Sequence, residues 1–109
     1  MGFNMKDMQK MVKQMQKVQG DMARAQEELK HETVEASSGG GVVRATFNGH
    51  GEIQSIAIQP EAVDPNDVEM LQDLILGAVR EGQHKAEQLA QEKMAAITGP
   101  LNLPGIPGF

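Results

Sequence analysis

The chain has 109 residues and a formal net charge of −5, from 10 basic and 15 acidic side chains, with no cysteine, tryptophan or tyrosine. Lack of cysteine excludes disulfides and thiolate metal sites and suits a reducing compartment. No run approaches the roughly 20 apolar residues of a membrane span, and the first residues lack the apolar core of a signal peptide, so a cytoplasmic protein without a membrane partner is expected.

The first helix is predicted to start near Asn4, a good N-cap, and to fade near Lys30 and His31. Its apolar residues Met8, Met11, Met15, Val18, Met22, Ala25 and Leu29 are spaced 3, 4, 3, 4, 3, 4. That heptad seam belongs to a helix packing lengthwise on another. Lys6, Lys10, Lys13, Lys17 and Arg24 form a basic stripe away from the seam. Gly20 followed by Asp21 marks a weak point, where a kink or break is expected.

At residues 32–37 the period changes to two, with Val34 and Ala36 on one face, which reads as a strand. Gly39, Gly40 and Gly41 form a loop. A second strand is expected at residues 42–47, with Val43, Ala45 and Phe47 sharing a face. Asn48-Gly49 predicts a tight type I′ hairpin turn. A third strand follows at residues 52–58 and ends at Pro60. By simple alternation Ile53 and Ile56 fall on opposite faces of it. The expected sheet is a three-stranded antiparallel meander.

Asp64 and Pro65 open the second helix, with Asp64 as cap and Asp67 near the N-terminus. It is expected to run to about Ile97. Val68, Leu71, Leu74, Ile75, Ala78, Gly82, Ala86 and Leu89 make a broad apolar face, and Gly82 reads as a point of close backbone approach. Residues 1–98 are expected to form one domain. Residues 99–109 are uncharged, with Pro100, Pro104 and Pro107, and are expected to be an extended or disordered tail. Its Leu101, Leu103, Ile106 and Phe109 are candidates for docking in an apolar groove. The helices outrun the sheet, and Phe47 is the single interior aromatic. Both features predict a second copy as partner.

The order of these elements, the run from Val34 to Val43 around the glycines, Asn48-Gly49 between strands, and Glu69-Met70-Leu71-Gln72-Asp73-Leu74 resemble the YbaB/EbfC family of bacterial nucleoid-associated proteins. Gln91-Glu92-Lys93-Met94 and the Pro/Gly-rich tail resemble it too. Two segments depart from the family pattern: Gln72 stands where a glutamate is usual, and Ala78-Val79-Arg80-Glu81-Gly82 where Ala-x-Asn-Asp-Ala is common. The resemblance implies an α+β protomer ordered α-β-β-β-α, a tweezer-like homodimer, and double-stranded DNA binding with little sequence preference. It also implies a nucleoid role in chromosome organisation or gene regulation.

Charge placement leaves room for such a partner despite the acidic total. Lys6, Lys10, Lys13 and Lys17 face only Asp7 at one end of the sequence, whereas Glu52, Glu61, Asp64, Asp67, Glu69 and Asp73 form a stretch without a basic residue. A dipolar molecule can present a positive edge while acidic overall. By charge alone a solvated helix face is the favoured reading of the stripe, ahead of a phosphate-binding one. With the resemblance, Lys6, Lys10, Lys13, Lys17 and Arg24 are the candidate phosphate contacts. The glycine run lacks the following Gly-Lys-Ser/Thr of a phosphate loop. His31, His50 and His84 have no metal-ligand spacing, and no nucleophile–base arrangement is legible. Neither an enzyme, a cofactor, a metal nor a small-molecule substrate is expected. The competing reading is a protein interaction module, using the Met seam or the projecting helices to bind replication or recombination proteins, with DNA binding incidental.

Overall fold

Asn4 starts the first helix as its sequence suggests. Its side-chain oxygen accepts the Asp7 N–H at 2.8 Å, satisfying one donor that the first turn leaves open. In the computed structural model, which describes residues 4–99, helix α1 spans Met5–His31. It continues through Gly20 and Asp21, so the expected break does not occur. Asp21 pairs with Arg24 at 3.4 Å instead of capping a new helix. Downstream, Ala25 and Leu29 are buried. That anchorage holds the helix across a glycine whose propensity cost is only about 1 kcal/mol.

The sheet has strands β1 (Thr33–Ser38), β2 (Val43–Asn48) and β3 (Ile53–Ile58) in that order, all antiparallel. Gly39, Gly40 and Gly41 turn between the first two with φ of +61°, +72° and +99°, a region closed to most side chains. The second turn differs from the expected type I′ hairpin. Gly51, at φ +81°, takes the left-handed position, and its N–H donates to the Asn48 carbonyl at 3.0 Å. Gly49 serves another purpose. A Cβ there would stand 2.8 Å from the Leu29 carbonyl oxygen, so its glycine permits the turn to press on α1.

Helix α2 spans Val68–Thr98, capped by Asp67, which accepts the Met70 N–H at 3.2 Å. The cap thus lies one turn later than expected. Asp64 closes the preceding loop, accepting the Asn66 N–H at 2.9 Å. Val68 is exposed, so the packed face begins at Leu71. Val43, Ala45 and Phe47 pack with Ala78 and Ala86 into the core. Gly82 lies against the Phe47 ring, which a Cβ would strike, confirming the close approach.

The helix covers β1 and β2 and leaves β3 bare, with Ile53, Ile56 and Ile58 at 48, 43 and 37% exposure. Their faces correct the simple alternation. Phe47 pairs with Ile53, Ala45 with Ile56 and Val43 with Ile58, and a bulge interrupts the register between Thr46 and Phe47. Directly paired residues share a face. The bulge therefore brings Ile53 onto the same face as Ile56, beside the core.

Candidate nucleic-acid interface

The stripe rides on a projecting arm. Lys93 ties α2 to α1: its ammonium donates to Glu28 at 2.9 Å and lies 2.5 Å from Glu32. Gln26 and Leu29 share a hollow with Ala90 and Met94. These pairings make the helices antiparallel, so α2 ends about level with Met22 at the helical rise. Residues 5–20 extend beyond it by about 24 Å. The molecule measures 76 Å along its longest axis.

The base of the arm is held by the β2–β3 turn. The last carbonyls of a helix have no partner within it. Here Leu29 O accepts the Gly49 N–H at 2.8 Å, and Lys30 O accepts from Asn48 Nδ2 at 3.3 Å. His50 Nε2 lies 2.9 Å from the Gln26 carbonyl oxygen. Buried Asn48 also donates to Glu52 at 2.7 Å and accepts the His50 and Glu52 N–H groups at 3.0 Å. Each polar atom of this side chain is thus occupied, as burial requires. The Lys93 ammonium is pushed above the ordinary lysine pKa of 10.5 by its hydrogen bonds to Glu32 first and Glu28 second.

All the predicted stripe residues are exposed on α1. At about 100° per residue they fall within a wedge of about 60°, centred about 140° from the seam. Lys6, Lys10, Lys13 and Lys17 share the arm, and among the described residues none has a carboxylate ion-pair partner. Arg24 lies on the same stripe but behind the arm, paired with Asp21. The seam divides likewise: Ala25 and Leu29 are buried, Val18 and Met22 half-buried, and Met8, Met11 and Met15 exposed. Sequence reasoning missed the Lys93 clamp and the Asn48 hub. Their signal was present only as polar residues at helix and strand ends.

Acidic groups collect at the opposite end. Ser38 Oγ donates to the Leu74 carbonyl at 2.5 Å, fixing the start of α2 at the end of β1 remote from α1. Asp67, Glu69 and Asp73 gather beside Ser38. Among the described residues, no group of three His, Cys, Asp or Glu side chains is placed to hold a metal ion. No described helix is long and apolar enough to cross a membrane.

The chain thus carries a basic helical arm on an α-β-β-β-α fold, and the sequence profile of the YbaB/EbfC DNA-binding family matches its residues 5–101. The chain belongs to the YbaB/EbfC family. It is 58% identical to a nucleoid-associated protein of Moorella thermoacetica, over 94% of this chain and 99% of that one. It is 54% identical to a nucleoid-associated protein of Pelotomaculum thermopropionicum, over 92% of this chain and 95% of the other. The YbaB/EbfC fold of this chain also resembles the crystal structure of the uncharacterized protein HP0035 from Helicobacter pylori. There the TM-score is 0.60 at 24% identity, covering 72% of this chain and 90% of that one. The profile takes in the whole arm, including every stripe residue.

Proposed function

We propose that this chain is a dimeric nucleoid-associated protein that binds double-stranded DNA with little sequence preference, in nucleoid organisation or gene regulation. The observation that carries the reading is the arm itself: Lys6, Lys10, Lys13 and Lys17 on one exposed face, clear of the acidic end. Arg24 extends that line. Lysine ammoniums on a rod suit phosphates, which confer affinity without sequence information. Membership of a DNA-binding family and relatives named nucleoid-associated proteins support the same partner and a nucleoid location. Binding, rather than catalysis, is the activity this chemistry supports.

The dimer rests on β3. Its outer edge has no neighbouring strand among the described residues, and its three isoleucines lie bare beside the core. An exposed apolar edge strand invites another strand. Antiparallel pairing of β3 with itself is the symmetric solution, presenting the same surface on both protomers. It would set two arms on one continuous sheet.

A DNA titration at several salt concentrations tests the interface, comparing wild type with Lys10→Glu/Lys13→Glu/Lys17→Glu. Wild-type affinity falls steeply with salt. If each lysine neutralises one phosphate, the variant's log–log salt slope is shallower by about 3 per engaged arm. Unchanged affinity and slope in the variant would remove the stripe from the interface. Absence of wild-type binding even at low salt would remove DNA as the partner.

A further inference from the structure

The seam of α1 outlasts the helix that packs on it. Beyond Met22, about where α2 ends, Met8, Met11 and Met15 are 56, 49 and 60% exposed. At about 100° per residue, the centre of these three lies about 45° round the helix from the packed line of Val18, Met22, Ala25 and Leu29. The groove of Met5, Gln9, Val12, Lys13 and Gln16 is another face, about 100° farther round. Every lysine of the arm stands at least about 130° from the centre of the three methionines.

Their spacing is that of a coiled coil, with Met8 and Met15 at heptad position a and Met11 and Val18 at d. Run antiparallel against a copy of itself, the seam makes four layers. Met8 meets the partner's Val18, Met11 meets the partner's Met15, and symmetry supplies the other two. Val12 and Gln14, on the two flanks, each face their own copies, so no lysine enters the contact. Asp7 and the partner's Asp21 meet only at the ends of the overlap, where Arg24 already pairs with Asp21 at 3.4 Å.

That register sets the partner's Asn4 level with Met22. The heptad alone fixes this level, yet it is where α2 ends. The partner's arm therefore takes up the line of α2 where α2 stops, and its positive N-terminal end meets the negative C-terminal end of α2. We propose that the arm is a self-association surface, pairing antiparallel with the arm of a second copy through Met8, Met11, Met15 and Val18. Four layers are fewer than a lasting coiled coil uses. The contact is weak, populated above micromolar concentration, and gains strength where copies are already held close together. On the β3 reading of the dimer, the two arms of one dimer point in opposite directions, so arm pairing joins dimers in an open row.

Disulfide trapping in the full-length protein, which has no cysteine of its own, tests the contact without nucleic acid at concentrations well above micromolar. One tagged chain carries Met11→Cys and a differently tagged chain carries Met15→Cys. Lys10→Cys mixed with Lys17→Cys is the control, at the same level on the stripe face. All four positions are exposed, and far-ultraviolet circular dichroism checks that helix content survives. Under mild oxidation the bridge between the first two chains is expected to form roughly tenfold faster or more than the control bridge, and faster than either chain bridges to its own kind.

Equal rates on the two faces, or no bridge, would overturn the proposal. Faster bridging of each variant to itself would set the seams parallel and overturn the register. Adding Ile56→Glu to both chains separates this contact from β3. The bridge is expected to persist there, and its loss would return the association to β3 and overturn the arm pairing. Sedimentation velocity gives a second measure against Met11→Glu/Met15→Glu. As concentration rises, the wild type is expected to form larger species than this variant, and identical distributions would overturn the proposal.

Discussion

Gly82 illustrates how little room the core has. The Phe47 ring occupies the place of its missing side chain, with Ala78 and Ala86 as the other small residues of that face. Extra volume in a packed core forces neighbouring side chains off their rotamers. Gly82→Ala is therefore expected to lose about 1–3 kcal/mol despite the gain in helix propensity. Urea denaturation of the two proteins measures this, and a stability gain would show that the ring moves aside freely. Gly82 was legible in the sequence as a close approach, because it interrupts an apolar face without ending the helix. Gly49 was not. Its neighbour suggested a hairpin turn, whereas its packing reason, the Leu29 carbonyl, lies 20 positions earlier in the chain.

At the scale of the elements, the joint between α1 and α2 depends on Lys93. Its folded pKa is raised, so its contribution is present below the ordinary value of 10.5 and fades as pH rises through the raised one. Lys93→Met is expected to lower the melting temperature at pH 8, with the gap to wild type closing in more alkaline buffer beyond that raised value. A gap independent of pH would assign the loss to packing of the lysine stem. Periodicity revealed both helices and all three strands to within about a few residues, the usual uncertainty of element ends. It misjudged what neighbours decide. Gly20 breaks nothing because Ala25 and Leu29 are held downstream. Asp64 yields the cap to Asp67 because it is committed to its own turn. Ile53 changes face through a bulge that local alternation does not announce. The stripe was legible as charge, but its isolation from carboxylates became visible only with the helix in place.

Across the whole molecule, the open edge of β3 is the surface we propose for a partner copy. Ile56 lies in its middle, opposite Ala45 and outside the cover of α2. Ile56→Glu is expected to give a folded monomer at micromolar concentration, because a charge on that face opposes burial against a second copy. Sedimentation equilibrium with circular dichroism reads both outcomes. A dimer surviving this change would move the interface away from β3.

The separation of charge along the 76 Å axis has a consequence for motion. Antiparallel pairing of β3 would point the two arms in opposite directions, so the lengthwise charge separations of two copies would largely cancel. Near a polyanion the lysines of either arm would still be drawn in while Asp67, Glu69 and Asp73 are driven out, a local steering that added salt would weaken.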